Sequence, residues 1–395
     1  MVLYAYRALV LLAALAGSVI GSAAEHADQK AHTPHVELRA TSMPSQSGSI
    51  KVHTKKDFAP KTGKANAAFI ILARNSNQAG LLSSMQQNED KFNSNYNYPY
   101  VILNDQPFTD EFMQVISSVT KAQVKFGTID HSMWGYPQWI DQEKAAKGRK
   151  ALEEKKAPYA SSESYRHMCR FQSGFFFRHP LTMEYDYYWR IEPDVNFYCN
   201  IDYDVFAFME AKDLKYGWTL SLTDYPSTLE TFWPTVQKWI SKHPEWMTSG
   251  KSSLRPWLHD DDKMEKYNLC HFWSNFEIGS LKWLRSEQYV SYFDHLDKSG
   301  GFFYERWGDA PVHSVAVALM LNESDVHFFN DIGYQHPPLT HCPSEPQLQA
   351  KCTCNGSESF ESNSWSCGHR LKKLFPDYTW SMEKYNMEIE PFQHK

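Results

Sequence analysis

An alternation between two hydrophobic periods near the start of the chain constrains the fold more than any other feature. Residues 67–72, Ala-Ala-Phe-Ile-Ile-Leu, form a continuous apolar run of strand length. A polar turn, Arg74-Asn75-Ser76-Asn77, follows, and then a helical stretch over 78–92 carrying Leu81, Leu82 and Met85. Residues 98–103 read as a second strand ending at Asn104-Asp105, Thr109 as the cap of a helix through Val119, and 124–126 as a third strand. Strand, helix, strand, helix, strand implies a parallel α/β sheet of the nucleotide-binding kind. Ligands of such sheets sit at the carboxyl ends of the strands, so Arg74 and Asn104-Asp105 are expected beside a nucleotide. No Gly-rich phosphate loop follows the first strand, which argues against a Rossmann dehydrogenase or a P-loop enzyme.

Residues 185–199 read as another strand running into an acidic turn, and 216–222 as a further strand followed by a Trp-rich helix. The pattern over 275–321 is mainly helical, and 326–329 is a late strand. The chain holds 24 Phe, 22 Tyr and 13 Trp, rings that fill cores and also match the apolar faces of sugars. It has 40 basic and 46 acidic residues, a formal net charge of -6 and no long basic run, a poor match for nucleic acid.

The amino-terminal end reads as a targeting segment. Arg7 precedes an apolar run over 8–24, and Glu25 and Asp28 follow it. That charge order suits a signal anchor with a cytosolic tail and a lumenal body. The run is short for a span, and Ser22-Ala23-Ala24 offers a cleavage site, so a cleaved leader is the alternative. Residues 25–65 are polar without a sustained apolar period and read as a stem, leaving 66–395 as one large domain. Seven cysteines agree with an oxidising compartment. Four of them, Cys342, Cys352, Cys354 and Cys367, crowd one late segment with His341 and His369 nearby. Their spacing matches no common zinc motif, so disulfides are expected, and the odd total leaves at least one thiol unpaired.

Four stretches carry candidate chemistry. In Tyr-Tyr-Trp-Arg-Ile-Glu-Pro-Asp-Val (187–195) an apolar strand ends in two carboxylates, Glu192 and Asp194. Such a pair either holds a divalent ion against a diphosphate or marks a plain turn around Pro193. In His-Phe-Trp-Ser-Asn-Phe-Glu-Ile (271–278) Glu277 stands among large aromatics. It is either a nucleophile or cation stabiliser at an anomeric carbon, or a helix-start glutamate. In Glu-Arg-Trp-Gly-Asp-Ala-Pro-Val-His (305–313) Asp309 either caps the next helix or, with Arg306, grips acceptor hydroxyls. In Gly-Tyr-Gln-His-Pro-Pro (333–338) His336 sits in a proline-held loop, as an ordinary histidine or as a metal ligand.

Together with Ser-Tyr-Arg-His-Met-Cys-Arg-Phe (164–171), these stretches resemble the fungal Golgi α-1,2-mannosyltransferases that extend O-linked and N-linked mannose chains. The resemblance spans about 66–375. It implies a GT-A-like glycosyltransferase domain, with a nucleotide-binding Rossmann-like sheet flanked by helices, behind a type II Golgi membrane anchor and stem. It implies transfer of mannose from GDP-mannose to mannosylated glycoprotein acceptors, with retention of the α configuration and Mn2+ as cofactor. Carried over by motif, Glu192 and His336 become metal ligands, with Asp194 a further candidate at the unconstrained position of Glu-Pro-x-Val. Glu277 becomes the nucleophile or cation stabiliser. Arg74, Tyr165, Arg166 and Asp309 become donor- and acceptor-binding residues. Two rivals stand beside this reading: a retaining glycoside hydrolase built on Glu277 and Asp309, and a non-catalytic lumenal glycan-binding protein of the same fold.

Overall fold

The structure is a computed structural model that describes residues 64–260 and 265–375. The apolar run over 8–24 and nearly all of the expected stem lie outside the described residues.

Among the described residues twelve strands build three sheets: β1 (Ala67–Leu72), β2 (Tyr100–Asn104), β3 (Val124–Thr128), β4 (Tyr187–Ile191), β5 (Asn196–Phe197), β6 (Tyr216–Trp218), β7 (Ser221–Thr223), β8 (Cys270–Phe272), β9 (Ile278–Ser280), β10 (Val326–Phe328), β11 (Tyr334–His336) and β12 (Leu339–His341). Seven of them form the main sheet in the order β10-β6-β9-β4-β1-β2-β3. β4, β1, β2 and β3 run parallel, as the alternation over 67–126 requires. β9 is antiparallel to both β4 and β6. A three-stranded sheet, β12-β11-β5, and the pair β7-β8 complete the set.

The early elements follow the sequence closely. The first helix covers Gln78–Lys91, and the side chain of Thr109 accepts from Phe112 N at the start of Asp110–Ser117. Two expectations need correction. The segment 216–222 is not one strand, because the chain leaves the main sheet after Trp218 and joins the β7-β8 pair. The largely helical pattern over 275–321 also contains β9, three buried residues wedged between β4 and β6.

The sheet separates two apolar cores. Strand alternation sends Tyr187, Trp189 and Ile191 into one, with Leu81, Met85 and Phe206, and Tyr188 into the other. The helix Asp309–Met320 belongs to the second core and is buried all round except at Ala310, as its unbroken Val-Ala-Val-Ala-Leu-Met run demands. It carries Asp309 and His313, four residues apart and therefore on one face.

Cysteine pairing settles the choice between disulfides and zinc. Cys199–Cys352, Cys270–Cys367 and Cys342–Cys354 are bonded, and Cys169 is the buried free thiol.

Candidate active site

A cleft of about 270 Å³ opens at the carboxyl ends of β1 and β2, lined by Ala73, Arg74, Asn104 and Asp105 on one side and Tyr159 and Tyr165 on the other. Arg74 is exposed at its edge, where its backbone N–H donates to Asn77 Oδ1 (2.9 Å). The Tyr159 and Tyr165 rings stack at 4.4 Å and 4°. Arg306 fixes this pair: it donates to the Tyr165 hydroxyl (3.2 Å) and to Thr228 Oγ1 (3.1 Å), and it pairs with Asp224 (3.3 Å). A flat, oriented aromatic surface of this kind suits a nucleobase or a sugar face.

Arg166 lies beneath the cleft rather than in it. It is 0 % exposed, and its guanidinium donates to the carbonyls of Ser162 (2.8 Å) and Glu305 (3.0 Å). Its place is to join the two segments that carry Tyr165 and Arg306, which corrects the expectation that it touches donor or acceptor.

Next to the cleft, β4 presents Arg190 from the middle of the sheet. A charge buried there needs partners on every side. Nη1 donates to Asp309 Oδ2 (2.6 Å), and Nη2 pairs with Glu192. The backbone N–H of Arg190 donates to the Glu277 carbonyl (2.9 Å), one step beyond the Trp189↔Ile278 pair. Cross-strand neighbours share a face, so Glu277 and Arg190 point the same way. Asp309 also accepts from Ser274 Oγ (2.7 Å). Burial pushes the Asp309 carboxyl up, and Arg190, His313 and the Ser274 bond together hold it below the usual range. The side chain of Asp309 makes no capping bond; Gly308 is the N-cap, which removes the simple capping reading.

Glu277 is not a helix-start residue. It precedes β9 and is 0 % exposed. Oε2 accepts from the Tyr216 hydroxyl (3.1 Å) and lies 2.8 Å from His313 Nδ1. Oε1 is buried without a hydrogen-bond partner among the described residues. Gly279 makes room for this cluster, since a Cβ there would meet Tyr188 Cε1 at 2.8 Å.

Glu192 follows β4 directly. The turn after it reverses through Asp194, whose φ of 63° is left-handed, and β5 then pairs antiparallel with β11. That pairing brings His336, the last residue of β11, back to Glu192, with Nε2 3.4 Å from Oε2. His336 therefore belongs to a strand, not to the loop the sequence implied. Burial raises the Glu192 pKa, but Arg190 and His336 bring it down to about 2. A carboxylate oxygen and an imidazole nitrogen that converge in this way fit a divalent transition ion whose remaining ligands come from a diphosphate and water. Asp194 does not join them: its carboxylate lies against Gly80 in the neighbouring helix. Among the described residues the one cluster of three potential ligands is Cys199, Cys352 and Cys354, whose sulfurs are committed to disulfides.

Sequence reasoning singled out Glu192, Glu277, Asp309 and His336, and the structure places these four side chains in one cluster around Arg190 and His313. It did not assign Arg190, Ser274, Tyr216 or His313. Two signals were present: a lone arginine inside an apolar strand, and the Asp309–His313 spacing of four.

The cleft at the β1–β2 edge, the Glu192–His336 carboxylate–imidazole pair and the acids gathered around Arg190 are the parts a sugar nucleotide and a hydroxyl acceptor would need. Glycosyl transfer is the chemistry this layout serves, and the molecule is a glycosyltransferase of α/β, GT-A-like fold. A family model described as "Glycolipid 2-alpha-mannosyltransferase" matches residues 22–375. The chain is 50% identical to glycolipid 2-alpha-mannosyltransferase 1 of Candida albicans over 306 residues, 77% of this chain and 70% of that one. It is 45% identical to the alpha-1,2 mannosyltransferase KTR1 of Saccharomyces cerevisiae over 367 residues, 92% of this chain and 91% of that one. The crystal structure of core-mannan synthase A from Aspergillus fumigatus, in its Mn/GDP form, superposes with a TM-score of 0.75 at 40% identity, covering 84% of this chain and 92% of that one. The chain belongs to the glycolipid 2-alpha-mannosyltransferase family.

Proposed function

We propose that the chain transfers mannose from GDP-mannose to a mannose hydroxyl, the 2-hydroxyl, of O-linked or N-linked protein glycans, with retention of the α configuration and with Mn2+ as cofactor. The observation that supports this reading is Arg190, which ties Glu192 to Asp309; in it Glu192 serves the diphosphate and Asp309 the acceptor. Glu192 and His336 would hold the ion, which when bound neutralises charge on the departing diphosphate. The Tyr159–Tyr165 pair and Arg74 orient the nucleotide at the strand ends. Asp309 and Ser274 orient the acceptor hydroxyl. The bond from the mannose anomeric carbon to the diphosphate oxygen breaks, and a bond to the acceptor oxygen forms on the same face. The acceptor proton passes to the departing diphosphate. Glu277, enclosed on all sides, supports positive charge on the sugar rather than attacking it.

That enclosure also counts against the hydrolase rival, because a nucleophilic carboxylate must reach the anomeric carbon directly. The charge order around residues 8–24 and three disulfides support a Golgi membrane protein with a single amino-terminal anchor and a lumenal catalytic domain, acting on mannoproteins bound for the cell wall.

The test incubates the purified protein with GDP-mannose, Mn2+ and methyl α-mannoside. Transfer that EDTA abolishes, and that Glu192→Gln and His336→Ala each restore only at higher Mn2+, is expected. Metal-independent release of mannose from glycans would mean a hydrolase; glycan binding without transfer would mean a lectin.

A further inference from the structure

Both ring nitrogens of His313 face oxygens. Nδ1 lies 2.8 Å from Glu277 Oε2, and Nε2 lies 3.1 Å from the main-chain carbonyl of Gln172. His313 is 0 % exposed, so bulk water does not supply an alternative partner. The Gln172 carbonyl can only accept, which requires a proton on Nε2. At Nδ1 the proton belongs either to the ring or to the carboxyl. Imidazole is the stronger base of the two, which places the proton on the ring, and the Tyr216 hydroxyl donates to the same carboxyl oxygen.

We propose that His313 is a positioning residue held as an imidazolium, which ties Glu277 Oε2 and fixes the direction of its carboxyl group. The inference rests on the reading of Glu277 as the group that supports positive charge on the sugar. The surroundings agree. Burial lowers the His313 pKa, and the Glu277 carboxylate outweighs it and raises it. Asp309, on the same helix, adds negative charge, while Arg190 from β4 opposes it. The remaining titratable groups facing the pair are the hydroxyls of Tyr188, Tyr216 and Tyr289, all driven well above their ordinary range by burial and then by Glu277 and neighbouring tyrosines, so they stay neutral. Two cations, Arg190 and His313, thus stand among three carboxylates, Glu192, Asp309 and Glu277. Of these, Glu277 alone combines complete burial with an oxygen that has no hydrogen-bond partner among the described residues. The Glu277 carboxyl is thus held by His313 and Tyr216, with the Tyr188 hydroxyl beside it, so its direction depends on the imidazolium.

His313→Asn tests this, because its amide can still donate where Nδ1 does but carries no charge. The expected result is a kcat lower by about tenfold or more, with unchanged GDP binding and unchanged KM for GDP-mannose. Wild-type kcat would overturn the proposal. A neutron crystal structure of the unmodified protein near pH 7 decides independently of whether the variant folds. Deuterium on both His313 nitrogens is expected, and deuterium on Glu277 or on one ring nitrogen alone would overturn it. Should the unmodified protein fail to transfer mannose, the proposed function falls, while the neutron result still reports the state of His313.

Discussion

Arg190 carries two carboxylates on one guanidinium, a geometry that a lysine, with a single charged nitrogen, cannot reproduce. Arg190→Lys is therefore expected to fold and to lose kcat by about 100-fold through misplacement of Glu192 and Asp309, measured as mannose transfer at saturating GDP-mannose. Glu277→Gln preserves shape and removes the charge, so kcat should fall by roughly 100- to 1000-fold while GDP still binds, as read by calorimetry; full activity would remove Glu277 from the mechanism. Asp331 supplies a pH test away from the site. Burial raises its pKa to about 6, above its value in the unfolded chain. Its folded form is favoured when protonated, so its contribution to stability is complete below about pH 4 and is lost as pH rises through 6. Asp331→Asn should leave Tm unchanged near pH 4 and raise it above pH 6, a gain on the order of 1 kcal/mol. At this scale the sequence disclosed the acids and His336, because each sits in a distinctive motif. It could not disclose the partners: that Arg190 bridges Glu192 and Asp309 depends on a helix and a strand 119 residues apart.

Among the elements, β1 and β2 were legible as apolar and aromatic runs bounded by turns, β4 as such a run broken by Arg190, and β3 by its place in the strand–helix alternation. β9 was not. Ile-Gly-Ser has no period of its own, and becomes a strand only because β4 and β6 offer it ladders on both sides. His336 was read as a loop residue for the same reason: β11 is three residues long and exists through its pairing with β5 and β12. Helix contacts make a sharper test of packing. Gly174 ends the helix Glu163–Gly174, and a Cβ there would meet Phe293 Cζ at 2.0 Å in the adjoining helix Glu287–Ser299. Gly174→Ala should cost about 1–3 kcal/mol, seen as a Tm lower by several degrees, whereas an unchanged Tm would mean that the two helices separate freely.

At the scale of the molecule, two of the three disulfides, Cys199–Cys352 and Cys270–Cys367, bind distant segments. Cys270–Cys367 closes a separation of 97 residues and fastens the helix Gly368–Leu374, the last among the described residues, to β8, seven positions before Glu277. Replacing both cysteines by serine should lower stability by about 2–5 kcal/mol, measured by denaturant unfolding. The cysteine count announced disulfides, but the pairing across the chain could come only from the fold. The central claim joins donor, linkage and stereochemistry, and one measurement addresses all three. The protein is incubated with GDP-mannose, Mn2+ and methyl α-mannoside, and the purified product is analysed by NMR for linkage and anomeric configuration. The account predicts an α-linked mannose on the 2-hydroxyl; a β-linked product, or no disaccharide from a folded protein that binds GDP, would contradict it.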